Sequence, residues 1–173
     1  MKKLLSLFLV FFLFYTNIVF SEQKIAFIDM DKVISTSKAG SSILKQLTDL
    51  NKKNLKFLNE EEKKFKEKET KLISQKNIIS EADFQNKVNE LKSEIKNYNQ
   101  NRDKMINEFN KLKVDNTNNL LKLINPILLK FSDDKEISIV LQKKDLVVAK
   151  TELDITEDII KIVNAEIKEI KIK

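Results

Sequence analysis

The stretch that decides the fold is residues 81–112, EADFQNKVNELKSEIKNYNQNRDKMINEFNKL. Apolar side chains recur in it every seven residues, in two series that are offset by four. The first series comprises Phe84, Leu91, Tyr98, Met105 and Leu112, and the second comprises Val88, Ile95 and Phe109, with Arg102 at its remaining position. A nearly unbroken apolar seam of this period predicts a long helix, from Glu81 to about Ile124, that packs against another helix.

The preceding stretch, from Ser41 to about Ile73, contains no Pro or Gly and predicts a second long helix. Its apolar stripe is thin. Leu44, Leu58, Phe65 and Leu72 share one heptad position, Asn51 interrupts this series, and Asn54, Glu61 and Lys68 fill the companion column. We therefore expect a weaker seam on this helix than a self-sufficient coiled coil would carry.

A turn at residues 74–80 separates the two helices. Ser80 followed by Asp83 predicts a capping box at the start of the second helix. Two antiparallel helices of ~40 residues reach roughly 60 Å at 1.5 Å per residue. The sequence thus predicts a projecting arm, residues 43–125, on a body that the two ends of the chain build.

The body, residues 22–42 and 126–173, has strand and short-helix patterns. KIAFIDM (24–30) predicts a buried strand, Asp31 a cap for a brief helical turn, and Gly40 a close backbone junction. EISIVL (136–141) and LVVA (146–149) predict a strand hairpin. Asp154 with Glu157 predicts the cap of a last amphipathic helix, extending through Ile167. Pro126 predicts either a kink or a new helix start.

The N-terminus has the pattern of a secretory signal. Lys2 and Lys3 precede an apolar run from Leu4 to Phe14 that is broken only by Ser6. The run is shorter than the ~20 residues of a membrane span, and we expect residues 1–21 to be removed after Ser21. An uncleaved anchor, extended through residues 18–20, is the alternative.

Composition limits the chemistry. The chain has no Cys and no His, one Gly, one Pro and 34% charged residues. No disulfide can form, and the commonest nucleophile–base pairs and nitrogen or sulfur metal sites are excluded. Acidic pairs such as Asp29 with Asp31, or Asp154 with Asp158, fit turns and helix starts better than acid–base work. We expect no enzyme, no cofactor and no metal.

The two ends of the mature chain carry a resemblance. KIAFIDMDKVISTSKAGSSILKQL (24–47) resembles the N-terminal segment of Skp, the periplasmic chaperone family also called OmpH. INPILLKFSDDKEISIVLQKKDLVVAKTELDITEDIIKIVN (124–164) resembles its closing pattern of helix, strand hairpin and last helix. The resemblance follows the order of elements along the mature chain, and it is specific at Asp29–Gly40 and Ile139–Ile160.

The resemblance implies an α+β fold and a jellyfish-like homotrimer. Strands of three subunits would form a small β-barrel body, and three coiled-coil arms would enclose a cavity that holds unfolded outer-membrane proteins without ATP in the periplasm. The candidate assembly residues are Ile25, Phe27, Ile137, Ile139, Leu141, Val147 and Val148. The alternative is an envelope coiled-coil scaffold without chaperone activity.

Charge adds a candidate contact surface. Residues 43–125 contain 18 Lys and Arg against 13 Asp and Glu. Lys52, Lys53, Lys56, Lys63, Lys64 and Lys66 are candidate contacts for client proteins or anionic lipid headgroups, although Glu60–Glu62 and Glu67 offset part of their field. Phe57, Phe65 and Ile73 are expected in the seam rather than against clients. Nucleic acid is not an expected partner, because acidic residues interleave the basic ones.

Overall fold

The computed structural model describes residues 23–172. The predicted signal segment therefore lies outside the described residues. The elements in chain order are β1 (Lys24–Ile28), α1 (Met30–Thr36), α2 (Lys38–Gln75), α3 (Glu81–Asp134), β2 (Ile137–Gln142) and α4 (Thr156–Glu166), with short 3-10 turns at Lys143–Asp145 and Thr151–Leu153. No helix in this part of the chain is both long enough and apolar enough to cross a membrane.

The two long helices are confirmed, and both exceed their predicted length. α2 has 38 residues and α3 has 54, so α3 alone extends about 80 Å at 1.5 Å per residue. They lie side by side and connect through residues 76–80. The Ser80 hydroxyl accepts a hydrogen bond from the Asp83 backbone N–H at 3.1 Å and donates to the Asp83 carboxylate at 2.6 Å. The predicted cap therefore starts α3.

Pro126 does not start a new helix, because α3 continues through it to Asp134. Proline removes one backbone donor from the helix. Apolar packing on both sides of Pro126 compensates: Ile124 is fully buried and Ile127 nearly so. The predicted division between arm and body at residues 125 and 126 thus falls within one continuous helix, whose root belongs to the core.

The core lies entirely at the root of the arm. It is formed by one face of the sheet, by α1, by the first turns of α2, by the root of α3 and by α4. Its buried apolar residues are Ala26, Ile28, Met30, Val33, Ala39, Ile43, Leu47, Leu120, Ile124, Ile127, Ile155, Ile159, Ile160 and Val163. Both ends of the chain are therefore needed to bury the root of the hairpin.

β1 and β2 form a two-stranded parallel sheet, joined through the whole arm as a crossover. Ile25 pairs with Ile139 and Phe27 with Leu141, whereas Lys24 pairs with Ile137, so Ser138 is an extra residue in β2. This bulge rotates the start of β2 relative to its end.

The predicted strand at residues 146–149 is wrong. The segment forms no strand, and Val147 and Val148 are 99% and 89% exposed. β1 pairs with β2 on one edge and forms a single bridge between Phe27 and Asp154 on the other. After the 3-10 turn at residues 143–145 the chain does not fold back onto the free edge of β2, so the apolar run has no partner strand within residues 23–172.

The corner between α1 and α2 depends on short-range caps. Asp29, rather than the predicted Asp31, caps α1: its carboxylate accepts from the Lys32 N–H at 2.9 Å. Ser37 caps α2 by accepting from the Gly40 N–H at 3.2 Å. A Cβ atom at Gly40 would lie 1.6 Å from the Ile34 carbonyl oxygen, so only glycine fits this close approach.

Asp154 and Thr156 fasten the start of α4 to β1. The Ile155 N–H donates to the Phe27 carbonyl at 3.0 Å, and the Asp29 N–H donates to the buried Thr156 hydroxyl at 2.9 Å. The Asp154 carboxylate accepts from the Thr156 N–H at 3.0 Å and from its hydroxyl. The helix itself begins after Ile155 and ends at Glu166, one residue before the predicted Ile167.

Candidate client-binding and assembly surfaces

The arm contains no buried side chain between Thr48 and Asp115. Its two helices meet along a seam in which the best-covered side chains are only half-buried. On α3 these include Phe84, Val88, Leu91, Tyr98, Met105, Phe109 and Leu112. The predicted seam of α3 is therefore confirmed except at Ile95, which is 37% exposed, and its burial is partial throughout.

An aromatic pair marks the centre of the seam. Phe65 of α2 and Tyr98 of α3 pack edge to face, with ring centroids 5.3 Å apart. The Tyr98 hydroxyl lies 3.3 Å from the Leu58 carbonyl and 3.1 Å from the Glu62 carboxylate, so its single proton has two acceptors within reach. Burial raises the pKa of the Tyr98 phenol, and the carboxylate of Glu62 raises it further. The phenol therefore stays protonated and remains a donor.

The α2 side of the seam is polar, as its sequence predicts. Asn54, Glu61 and Gln75 are half-buried at positions that a coiled coil would fill with apolar residues. Lys68 bridges to Glu94 of α3 at 2.5 Å, and Lys87 donates to Gln75 at 3.2 Å. Polar partners thus replace apolar contact over the outer half of the arm.

Incomplete filling leaves two clefts between the helices. One, of about 330 Å³, is lined by Phe57, Leu58, Phe65 and Tyr98 together with charged residues. The other, of about 320 Å³, lies nearer the tip, beside Leu72 and Leu91. Both clefts are open to solvent, which agrees with the partial burial of the side chains along the seam.

Two of the three apolar residues expected in the seam lie outside it. Phe57 is 48% exposed and Ile73 is 64% exposed, whereas Phe65 is half-buried against Tyr98. Each exposed residue is one position away from the heptad series of Leu58, Phe65 and Leu72, which turns it off the contact line. The arm also exposes Leu55, Ile78, Ile106 and Val114. Sequence reasoning missed this apolar set.

The six candidate lysines are all exposed, but their surroundings differ. Lys64 lies 2.6 Å from Glu61, Lys56 3.9 Å from Glu60 and Lys63 4.0 Å from Glu67. Lys52, Lys53 and Lys66 form no salt bridge with any residue in the described range. Lys52 and Lys53 lie toward the root of the arm, one helical turn after Asp49.

The body exposes one apolar sheet face. Ile25, Ile139 and Leu141 lie on it, and they are 44%, 44% and 39% exposed. The free edge of β2 has no partner strand within residues 23–172. Val147 and Val148 add two almost fully exposed side chains on the segment after β2.

The remaining two candidate assembly residues are covered within the chain. Phe27 is buried, and Ile137 packs against the core because the bulge at Ser138 turns it inward. Ile137 was grouped with Ile139 and Leu141 on strict strand alternation, which a bulge breaks.

Ion pairs link residues near the ends of the two strands. Lys24, at the start of β1, lies 2.8 Å from Glu136, just before β2. The Lys24 ammonium lowers the pKa of the Glu136 carboxyl through a hydrogen bond and its charge. Glu136 has a φ of 56°, the left-handed conformation in which the chain leaves α3 for β2. Lys143 similarly approaches Asp154 at 3.4 Å.

These features define a class: a small α+β body that carries a long, loosely packed, charged helical hairpin. The family model described as outer membrane protein (OmpH-like) matches residues 24–163. The chain therefore belongs to the OmpH-like family, as the resemblance at its two ends predicted.

Comparison with solved structures agrees on the fold. A crystal structure from Caulobacter crescentus CB15, of an OmpH-like protein considered a candidate outer membrane chaperone, superposes with a TM-score of 0.80. The sequences are 13% identical, and the match covers 88% of this chain and 90% of the other. A comparison with curated protein sequences finds no match.

Proposed function

We propose that this protein is an ATP-independent holding chaperone of the periplasm. It binds unfolded outer-membrane β-barrel proteins between its helical arms and prevents their aggregation before membrane insertion. Family membership and the fold shared with a candidate outer membrane chaperone support this role. The predicted signal segment, residues 1–21, supports export.

The observation that carries the proposal is the combination of exposed apolar side chains with an arm that has no buried side chain between Thr48 and Asp115. Leu55, Phe57, Ile106 and Val114 offer apolar contact spread over both helices. A surface of many weak contacts suits a protein that must bind different unfolded chains and release them again. A hairpin with clefts in its seam also bends more easily than a fully packed coiled coil.

Homotrimer assembly through the body belongs to the proposal. The exposed face of Ile25, Ile139 and Leu141 and the free edge of β2 would be an aggregation hazard in a lone subunit. Closure around a symmetry axis covers such surfaces in every subunit at once. The segment of Val147 and Val148, which lacks a partner in its own chain, would then find one in a neighbouring subunit.

The basic arm supplies long-range attraction. Lys52, Lys53 and Lys66 form no salt bridge within the described residues, so they favour the approach of acidic clients or anionic lipid headgroups. Because salt screens exposed charges beyond about 10 Å at 0.1 M, capture by this route weakens as ionic strength rises.

The direct test dilutes a urea-unfolded outer-membrane β-barrel protein into buffer with and without the mature protein, and light scattering follows aggregation. The proposal predicts suppression in the absence of ATP. An envelope scaffold without chaperone activity would leave the rate of aggregation unchanged, and that result would refute the holding function.

Assembly has its own test. Replacing Ile139 by Asp places a carboxylate on the exposed apolar face, and we expect sedimentation to show loss of the trimer while circular dichroism shows unchanged helix content. Thr117→Asp, at a half-buried position on α3 far from the sheet, is the matched control. A trimer that survives Ile139→Asp would refute assembly through this face.

A further inference from the structure

The last residues of the chain form a feature that the holding function does not use. α4 ends at Glu166, and residues 167–172 continue as an extended tail along the root of α2. The match to the OmpH-like family model ends at residue 163, before the tail begins. Its sequence, IKEIKIK from residue 167, alternates apolar and charged residues at its end.

Gln46 of α2 binds the backbone of the tail. Its side-chain Nε2 donates to the Ile170 carbonyl at 2.7 Å, and its Oε1 accepts from the Ile172 N–H at 3.3 Å. A residue in a parallel strand makes the same pair of bonds, to the carbonyl of one residue and the N–H two positions on. Ser42 holds the amide in place, because Nε2 also donates to its hydroxyl and its carbonyl, each at 3.2 Å.

Alternation is confined to the end of the tail, where Ile170 and Ile172 flank the exposed Lys171. Ile167, Ile170 and Ile172 pack, partly buried, against the core cluster. Lys168, Glu169 and Lys171 are exposed. The root of α2 therefore receives the tail through its main chain and through alternate apolar side chains. The charged side chains of the tail are not part of this recognition.

These contacts describe a general mode of recognition. Main-chain hydrogen bonds supply affinity for any extended segment, and pockets for alternate side chains select the pattern. Strands of outer-membrane β-barrels carry this pattern, since their apolar and polar residues alternate over about ten positions. The tail is thus chemically similar to one strand of an unfolded client.

We propose that the surface formed by Ser42, Gln46 and the adjoining core residues is a binding groove for extended segments with alternating apolar side chains. The tail is its internal ligand and keeps the groove closed until a client strand displaces it. This inference rests on the holding function proposed above, because it assigns a strand-binding site to the same clients. It adds an autoinhibitory contact at the root of the arm.

The strength of binding has a lower bound. A segment joined through a short linker has an effective concentration in the millimolar range. A tail that occupies the groove for most of the time must therefore bind with an intrinsic Kd below about 1 mM. The same peptide, added as a separate molecule, must bind an emptied groove in that range.

The experiment uses the full mature chain and a fluorescein-labelled peptide of residues 167–173, IKEIKIK. In the variant Ile170→Ser with Ile172→Ser, the tail loses its apolar contacts and leaves the groove. Fluorescence anisotropy should show saturable peptide binding to this variant below about 1 mM. Binding to the unaltered chain should be weaker, because the tail competes at millimolar effective concentration: about twofold at a Kd of about 1 mM and about tenfold at a Kd of about 0.1 mM.

The matched control is Lys168→Ser with Lys171→Ser, which changes two exposed positions of the same tail. It should behave like the unaltered chain. Adding Gln46→Ala to the tail-released variant removes two hydrogen bonds and should weaken the peptide by about tenfold. Gln85→Ala, at an exposed glutamine near the tip of the arm, should leave peptide affinity unchanged.

Absence of peptide binding to the folded, tail-released variant would overturn the groove. A second peptide, copying one transmembrane strand of a β-barrel protein, should compete with the labelled tail. Failure to compete would overturn the assignment to client strands. The aggregation assay reports the holding function separately, since a chain that prevents aggregation but binds neither peptide refutes only the groove.

Discussion

The body and the arm are stabilised in different ways. Every buried residue lies in the body or at the root of the arm, whereas the arm between residues 48 and 115 buries nothing. The body depends on close contact among elements from both ends of the chain. The arm depends on the continuity of two helices and on many partial contacts. We therefore expect a rigid body that carries an arm able to bend around different clients.

The largest expected effect comes from Gly40 in the body. Gly40→Ala places a Cβ atom 1.6 Å from the Ile34 carbonyl oxygen, so α1 and α2 must separate. We expect a loss in the free energy of unfolding of more than about 4 kcal/mol, which is exceptional for a single substitution. Urea denaturation followed by circular dichroism measures it. Ser41→Ala, one position on and exposed, is the control, and equal stability of the two variants would contradict the packing at this corner.

The same substitution in both regions tests the contrast directly. Leu120→Ala empties a fully buried site in the body and should cost about 2–5 kcal/mol of unfolding free energy. Leu91→Ala removes a half-buried seam contact on the same helix and should cost about 1 kcal/mol. Thermal melts of the two variants provide the comparison. Equal losses would show that the arm is packed as tightly as the body.

A pH dependence should appear in the body at Asp154. Burial raises the pKa of this carboxyl, but hydrogen bonds from the hydroxyl and N–H of Thr156 and the charge of Lys143 outweigh burial and lower the pKa overall. Its stabilisation is therefore complete above the ordinary Asp pKa of about 4 and is lost as pH falls through the lower folded value.

Asp154→Asn removes this dependence. The difference in unfolding free energy between the natural chain and the variant should be constant from pH 7 down to about 5 and should shrink below about 4. Denaturation curves across this range measure it. Asp158→Asn, on the exposed surface of α4, is the control. A difference that grows at low pH would have the wrong sign for a lowered pKa.

The smallest effect on stability, and the most specific effect on function, comes from the lysines of the arm. Lys52→Gln with Lys53→Gln removes charge that forms no salt bridge within residues 23–172, and Lys63→Gln with Lys64→Gln removes charge paired with Glu67 and Glu61. Each pair of changes should alter stability by less than about 1 kcal/mol.

Capture of clients should separate the two variants. The first pair should slow association with an acidic unfolded protein at low salt more than the second pair does. Stopped-flow fluorescence at two ionic strengths measures the rate. If both double variants slowed association equally, local ion pairing would not determine the electrostatic attraction of clients to the arm.

The arm was predictable because its period is simple. Heptad spacing placed Leu58, Phe65 and Leu72 on one helix against the stronger seam of the other, and the structure pairs them so. Phe57 and Ile73 were misplaced because sparse apolar residues were assigned to the seam without regard to register. A shift of one residue turns a helical side chain by about 100°, which is enough to expose it.

The body was predictable only in outline. Alternation grouped Ile137 with Ile139 and Leu141, but the bulge at Ser138 breaks it. LVVA (146–149) has the composition of a strand, but no strand within residues 23–172 pairs with it. The local pattern therefore predicted a strand that has no pairing partner. The capping residue of α1 also differs from the predicted one, because Asp29 rather than Asp31 accepts the hydrogen bond from the Lys32 N–H. None of these patterns predicts the tail, although the period-two alternation of IKIK at its end argues against a continuing helix.

The central claim is that clients contact the deformable arm while the buried core of the body remains unchanged. Hydrogen–deuterium exchange, with and without a urea-unfolded β-barrel protein, measures both regions at once. We predict client-dependent protection in segments that contain Phe57, Ile106 and Val114, and no change in core segments that contain Val33, Leu120 and Ile159. Protection confined to the body, or absent from the arm, would contradict the account.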